Sequence, residues 1–375
     1  MIDWKKYSIL PTESTLKDYP TAMDILKDVV GKEEEEAMRE MPLNMMNAFL
    51  PSFTEKGRYI MERADNLGFP VLRPLSRSPF TYFRGQSKYY DPCLPSLYRY
   101  KGAELEKETV RSYFQTAEMI LVMRTHPVIR FLESCGIMDD RLGWLPLVVM
   151  YDGLAQHYGI KTCYMDLTND IWTAMFFATT TFDGKDYHAK VVKEADEFEE
   201  KFGVLYRLDY TPGTEFADST KDGIMPIGLQ YFNRPGRQFG FVRNMSDVRD
   251  LHKTPRLERI YFRHDNEVSN LLFSLSQFSK KYMPEDSLVG IVDTICKDDT
   301  FCEQTIDLVK MIYYRDLTTE EVREKAIAYG LKFTDHLKAG FDKAAMDAEY
   351  RDWQNGGAAR YKDNVIIFPL YRMEG

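Results

Sequence analysis

Long apolar runs are missing from this chain of 375 residues. Nowhere do about 18 apolar residues follow one another, so no segment is expected to cross a membrane as a helix. The opening Met-Ile-Asp-Trp-Lys-Lys lacks the apolar stretch of a signal peptide, and a cytoplasmic protein is expected. Cysteine is sparse: Cys93, Cys135, Cys163, Cys296 and Cys302 are odd in number and form no CxxC pair. That argues against a zinc site and against a disulfide framework, and for reduced thiols. Six scattered histidines give no metal constellation, so no metal is expected. The chain also has no Walker loop, GxGxxG, GxSxG or HExxH. Positive charge is in deficit, with 49 Lys and Arg against 58 Asp and Glu, a net charge of −9. Such a balance gives no general attraction to nucleic acid or to anionic membranes, although a local basic cleft stays open.

What is abundant is a globular composition: 44% hydrophobic, 29% charged and 14% aromatic, with 23 Phe and 24 Tyr. A sizeable core follows, with aromatics to spare for ligand or partner surfaces. Residues 1–75 read as a helical lead-in, with helical spacing over Thr21–Arg39 and Met45–Leu67, a solvated acidic face at Glu33–Glu36, and a loop marked by Pro70, Pro74 and Pro79. Strands are expected at Phe80–Arg84, Thr162–Asp166, Gly203–Leu208 and Arg237–Arg243. Helices are expected at Ala103–Arg124, Trp144–Tyr158 (ending at Gly159) and Asp170–Thr179. Beyond 300 the pattern is helical again. The run Leu317-Thr318-Thr319-Glu320-Glu321 supplies a threonine cap followed by an acidic first turn, an amphipathic stretch runs from Phe333 to Gln354, and Val365–Leu370 is a last strand candidate.

Four segments stand in an order that carries a family resemblance. They are Tyr82-Phe83-Arg84-Gly85-Gln86 with Leu94 to Arg99; Leu154-Ala155-Gln156-His157-Tyr158-Gly159 through Asp166-Leu167-Thr168-Asn169 to Phe176-Phe177-Ala178; Arg237-Gln238-Phe239-Gly240-Phe241; and Leu257–Phe262 with Tyr282 to Glu285. On these segments the chain is identified as a member of the FRG domain family, named for its Phe-Arg-Gly motif. Lys161-Thr162-Cys163 departs from that family's usual Pro-Thr-Arg, and Asp166-Leu167-Thr168 from its Asp-Trp-Thr. The resemblance implies an FRG domain over 76–300, between a helical extension at 1–75 and a helical extension at 301–375 with a final strand. The expected fold is α+β: a mixed, mostly antiparallel sheet core with flanking helices.

More distantly, the same segments resemble the ADP-ribosyltransferase core. The resemblance implies NAD as substrate, with Arg84 and Gly85 matching its first element, Asp166 to Thr168 its second, and Gln238 falling near its third, where an acid is expected. The implied catalytic residues are His157, Asp166 and Gln238, and the implied substrate-binding residues are Arg84, Gly85, Gln86, Gln156, Thr168 and Arg237. The chemistry fits these types: a guanidinium forks onto phosphate or ribose oxygens, glycine admits a close ligand, and a carboxylate stabilises oxocarbenium character.

Each residue also has a structural reading. Arg84 could pair with Asp166 to lock two strands. His157 could be a hydrogen-bonded core histidine, and Asp166, Thr168 or Asn169 a helix cap. Arg234, Arg237 and Arg243 form either a basic groove or a scattered set of exposed charges. A non-catalytic module that binds nucleic acid, a nucleotide signal or a protein partner through its terminal helices is therefore the second expectation. The family resemblance suggests a bacterial defence or mobile-element setting for it.

Overall fold

A computed structural model describes residues 2–40, 59–64, 69–74, 80–134, 136–139, 143–146, 150–210, 222–227, 231–232, 234–284, 286–357, 365–366 and 372–374. Its centre is a six-stranded sheet made of β1 (Thr81–Gln86), β2 (Tyr164–Thr168), β3 (Phe202–Asp209), β4 (Ile224–Pro226), β5 (Gly240–Asn244) and β6 (Glu258–Arg263). The order across the sheet is β4-β5-β2-β1-β3-β6, and every pairing in it is antiparallel. Parallel pairs occur outside it, at Thr300–Cys302 with Lys332–Thr334 and at Tyr59–Ile60 with Val365–Ile366. The fold is α+β, as the sequence implies.

Both faces of the sheet are covered, so β1 reads as a continuous buried run at Tyr82 and Phe83 rather than as an alternation. On one face, Phe83, Leu205, Ile260 and Phe262 pack against α1 (Ala22–Glu40) and against the helix Ile171–Ala178. Tyr82 packs in a different group, with Leu208, Tyr210 and Phe241. A second large core surrounds α2 (Gly102–Met123). It joins Phe114, Ile120 and Met123 to Leu154 and Ala155, and to Ile291, Val309 and Leu331 from the C-terminal third. Buried Glu118 on α2 accepts the main-chain N–H of Cys302 at 2.8 Å and of Lys338 at 2.7 Å, tying that third to the core.

Local signals explain two further helices near the sheet, α3 (Tyr151–His157) and α4 (Ile171–Ala178). Gly159, at φ 96°, ends the turn after α3 in the left-handed region, which glycine enters without strain. The α4 cap is Asp170, whose side chain accepts the Thr173 N–H at 2.8 Å; Asp166, Thr168 and Asn169 are not its cap. Thr318 caps its helix in a full capping box with Glu321.

Several sequence expectations are corrected. Tyr59–Ala64 is a strand, not the end of a helix begun at Met45; residues 45–58 and 65–67 lie outside the described residues. Pro70 and Pro74 lie in the strand Phe69–Pro74, not in a loop. Of the helix expected over Trp144–Tyr158, Gly143–Pro146 is a strand and Tyr151–His157 is helical, residues 147–149 lying outside the described residues; Pro146 in the third position of the expected helix disfavours its start there. The strand expected from Arg237 begins at Gly240. Arg234–Arg237 is a single helical turn, and Phe239 (φ 49°) turns the chain into β5. The stretch from Phe333 splits into the strand Lys332–Thr334 and the helix Lys343–Asp352. Of Val365–Leu370, Val365–Ile366 is strand and the rest lies outside the described residues. No helix among the described residues is long and apolar enough to cross a membrane.

Candidate functional site

The two central strands barely touch. β1 and β2 share one pair, Phe83 with Thr168, whereas β1 and β3 share six. A cleft of about 1560 Å³ is lined from both sides of this divergence, by Arg84, Gly85 and Gln86 of β1 and by Asp166, Leu167 and Thr168 of β2. Arg84 bridges the strands where ladder bonds are missing, its Nη1 donating to the Asp166 carbonyl at 2.9 Å. Its Nε is buried and has no hydrogen-bond partner among the described residues. The pairing between Arg84 and Asp166 is thus real, but it runs through the main chain.

Asp166 is held from two sides. Gln156 Nε2 donates to its Oδ2 at 3.0 Å, and Gln156 Oε1 in turn accepts the Thr162 hydroxyl at 2.5 Å. His157 Nε2 faces Oδ1 at 3.4 Å, beyond the usual range of about 2.7–3.2 Å, and neither atom has a hydrogen-bond partner among the described residues. The carboxylate side chain is 37% exposed and the imidazole only 3%, so the acid faces the cleft and the base lies behind it. Burial holds the His157 pKa below the ordinary value; Asp166 opposes this, Arg234 adds to it, and the Gln238 side chain opposes it. Neutral His157 therefore lies behind Asp166, touching its Oδ1 without a hydrogen bond, and contributes to the cleft lining with little exposed surface.

Two expected residues are occupied elsewhere. The Thr168 hydroxyl donates to the Gln238 carbonyl at 2.7 Å and accepts the Asp170 N–H at 3.0 Å. Gln238 is buried, and its Nε2 donates to the Tyr282 carbonyl at 3.0 Å. Both line the cleft, but their polar atoms bind the chain together. Gly85 also lines it, yet the space a Cβ would fill there belongs to the Ala174 carbonyl, 1.8 Å away, and not to an open approach. Gln86 Oε1 accepts from Cys93 Sγ at 3.7 Å.

Arg234, Arg237 and Arg243 are dispersed. Arg243 is buried, bonded to the Asp222 carbonyl and to Thr254. Arg237 is exposed and stands outside the cleft lining. Only Arg234 lines the cleft, stacked 4.8 Å from the Tyr158 ring, whose hydroxyl donates to Asp286. They form no shared basic groove.

Sequence reading missed the far end of the cleft. There Glu200 takes Lys88 at 2.6 Å and also Lys190, so two cations share one carboxylate. No spacing announces this cluster, because Lys88 joins it from 112 positions before Glu200. Seven Lys or Arg and five Asp or Glu line the cleft, a positive excess inside a chain whose total is −9, which favours an anionic ligand.

Beside this end, His264 Nε2 meets the Ser87 carbonyl at 2.9 Å, and burial pushes its pKa down to about 4. Between the ordinary value of 6.5 and about 4, the unfolded chain holds one proton more than the folded one. Stability is then complete above pH 6.5 and falls as pH drops toward 4, by roughly 3 kcal/mol. Urea unfolding at pH 7, 6, 5 and 4.5 should show this loss, and His264→Gln should flatten it by one proton. An unchanged slope in the variant would mean that His264 does not carry it.

Residues 80–186 match the family model of the FRG domain, so the chain carries an FRG domain there. The match holds β1, β2, α3 and α4, and with them Arg84, Gln156, His157 and Asp166. No curated protein and no solved structure matches the chain.

Proposed function

We propose that the cleft binds an anionic nucleotide, with NAD as first candidate, and that the reaction is transfer or hydrolysis of ADP-ribose. The observation that carries this reading is Asp166. It is a carboxylate fixed by Gln156 and backed by neutral His157, and it faces a cleft with an excess of cations. A ribose hydroxyl suits such an acceptor, and phosphates suit Arg84, Lys88 and Lys190.

In the reaction, the bond between ribose C1′ and nicotinamide breaks with its electron pair leaving on nicotinamide. Water or an acceptor nucleophile adds to C1′ and releases a proton to solvent. Asp166 would lower the barrier by stabilising the positive charge that builds on the sugar. His157 is a positioning residue here, and Gln238 a structural one.

A second reading is favoured by Gln238 itself, which is neutral, buried and bonded where a catalytic acid would be needed. On that reading the cleft senses a nucleotide without turning it over.

Thermal unfolding with and without NAD tests the shared premise. Ligand at about a hundred times its Kd adds roughly 2.7 kcal/mol, a rise of a few degrees in Tm. The rise is expected in the wild type and lost in Arg84→Ala. Nicotinamide release then separates enzyme from sensor. No rise at millimolar NAD would overturn the NAD assignment.

A further inference from the structure

Two aromatic rings at the cleft are exposed in a way the fold does not need. Phe278 is 64% and Phe182 55% exposed, and both line the cleft. Each is backed by another ring. Phe182 lies 4.9 Å from Tyr187, which leans on Phe176 at 5.4 Å, and Phe278 stands edge-on to Phe273 at 5.6 Å.

The backbone under Phe278 is also unusual. Gln277, Phe278 and Ser279 have φ of 55°, 54° and 73°, three consecutive non-glycine residues in the left-handed region. Such a run is strained, and strain of this kind gathers at ligand clamps. It is held in place by the Ser279 N–H on Ser276 Oγ at 3.0 Å and by Gln238 Nε2 on the Tyr282 carbonyl at 3.0 Å. Gln238, to which the distant resemblance to the ADP-ribosyltransferase core gave a catalytic role, thus fastens the segment that carries Phe278. Strain, exposure and a backing ring coincide at Phe278, and exposure and a backing ring at Phe182, both in the lining of a cation-rich cleft.

We propose that Phe182 and Phe278 form an aromatic subsite that stacks the nucleobase of the bound nucleotide. The proposal rests on the nucleotide reading above and adds which part of the ligand this wall takes. A planar heteroaromatic ring gains from such faces, because base–aromatic stacking tolerates any base and needs only an exposed, ordered ring. The cations then take the phosphates, and Asp166 the sugar between.

Calorimetric titration of the full chain with ADP-ribose and with ribose 5-phosphate, which has no base, tests it. Phe182→Ala and Phe278→Gly should each weaken ADP-ribose by roughly tenfold and leave ribose 5-phosphate unchanged. Glycine suits the left-handed backbone at 278, so that variant should keep its Tm, and a lost ligand cannot then be blamed on a lost fold. ADP-ribose binding at wild-type strength in both variants overturns the subsite alone. An equal loss of both ligands also overturns it, by assigning the rings a structural role. If neither ligand binds the wild type but the chain is folded, the nucleotide reading falls and the subsite with it. If only ADP-ribose binds the wild type, its ratio between wild type and variants decides.

Discussion

Gly85→Ala is expected to destabilise the protein by about 3 kcal/mol or more, a large part of an ordinary folding stability. A Cβ at this position would stand 1.8 Å from the Ala174 carbonyl oxygen and 2.8 Å from Ala178 Cβ. The first obstacle is main chain inside α4, so no rotamer change relieves it. Either β1 or α4 must move, and α4 is held by the Asp170 cap and by a core of Phe83, Ile171 and Met175. Gly290 offers the control. A Cβ there meets nothing within 4 Å, and the residue lies inside the helix Ser287–Ile295. Gly290→Ala should be neutral or slightly stabilising, because alanine is the better helix former. Urea unfolding of the two variants beside wild type measures the contrast. A Gly85→Ala protein within 1 kcal/mol of wild type, on the order of an ordinary substitution, would mean that β1 and α4 do not pack as described.

The largest expected effect on chemistry belongs to Asp166→Asn. If the chain turns over NAD, the change should cut nicotinamide release on the order of 10²–10³-fold while NAD binding stays near wild type. Asparagine keeps the shape and an oxygen for Gln156 Nε2, so the wall of the cleft should stand. What is lost is the charge that stabilises the sugar cation. His157→Gln should cost less, because His157 lies behind the carboxylate and acts only through it. Turnover unchanged by Asp166→Asn would remove Asp166 from the chemistry. Tight NAD binding with no nicotinamide release in the wild type would select the sensor reading.

The sequence was informative where the signal is local. Thr21–Arg39 and Ala103–Arg124 show helical spacing, and both are helices. Gly159 and Thr318 end and begin their helices as their types suggest. The clustering of Arg84, Gln156, His157, Asp166, Thr168 and Gln238 around one cleft follows the order of the motifs. Roles were harder to read than places. Gly85 looked like room for a ligand, and only the partner helix shows that Ala174 fills that room. The strand expected from Arg237 takes in Gln238, although Pro235-Gly236 just before it signals a turn. Pro146 gave a similar unused warning inside the expected helix at Trp144. Phe182, Phe278 and the pair of lysines on Glu200 had no sequence signature, because exposure and long-range convergence are properties of the folded chain.

The strand order has a consequence for how the matched segment is completed. The matched residues 80–186 supply β1 and β2, which sit side by side at the middle of the sheet. β3 and β6 on one flank, and β5 and β4 on the other, come from later in the chain. Taken alone, the matched segment is a centre without a rim, with an open edge on each of its two strands, ready to pair with whatever strand it meets. In this chain the later strands β3 and β5 close those two edges, so the middle of the sheet depends for its pairing on residues far beyond the matched segment.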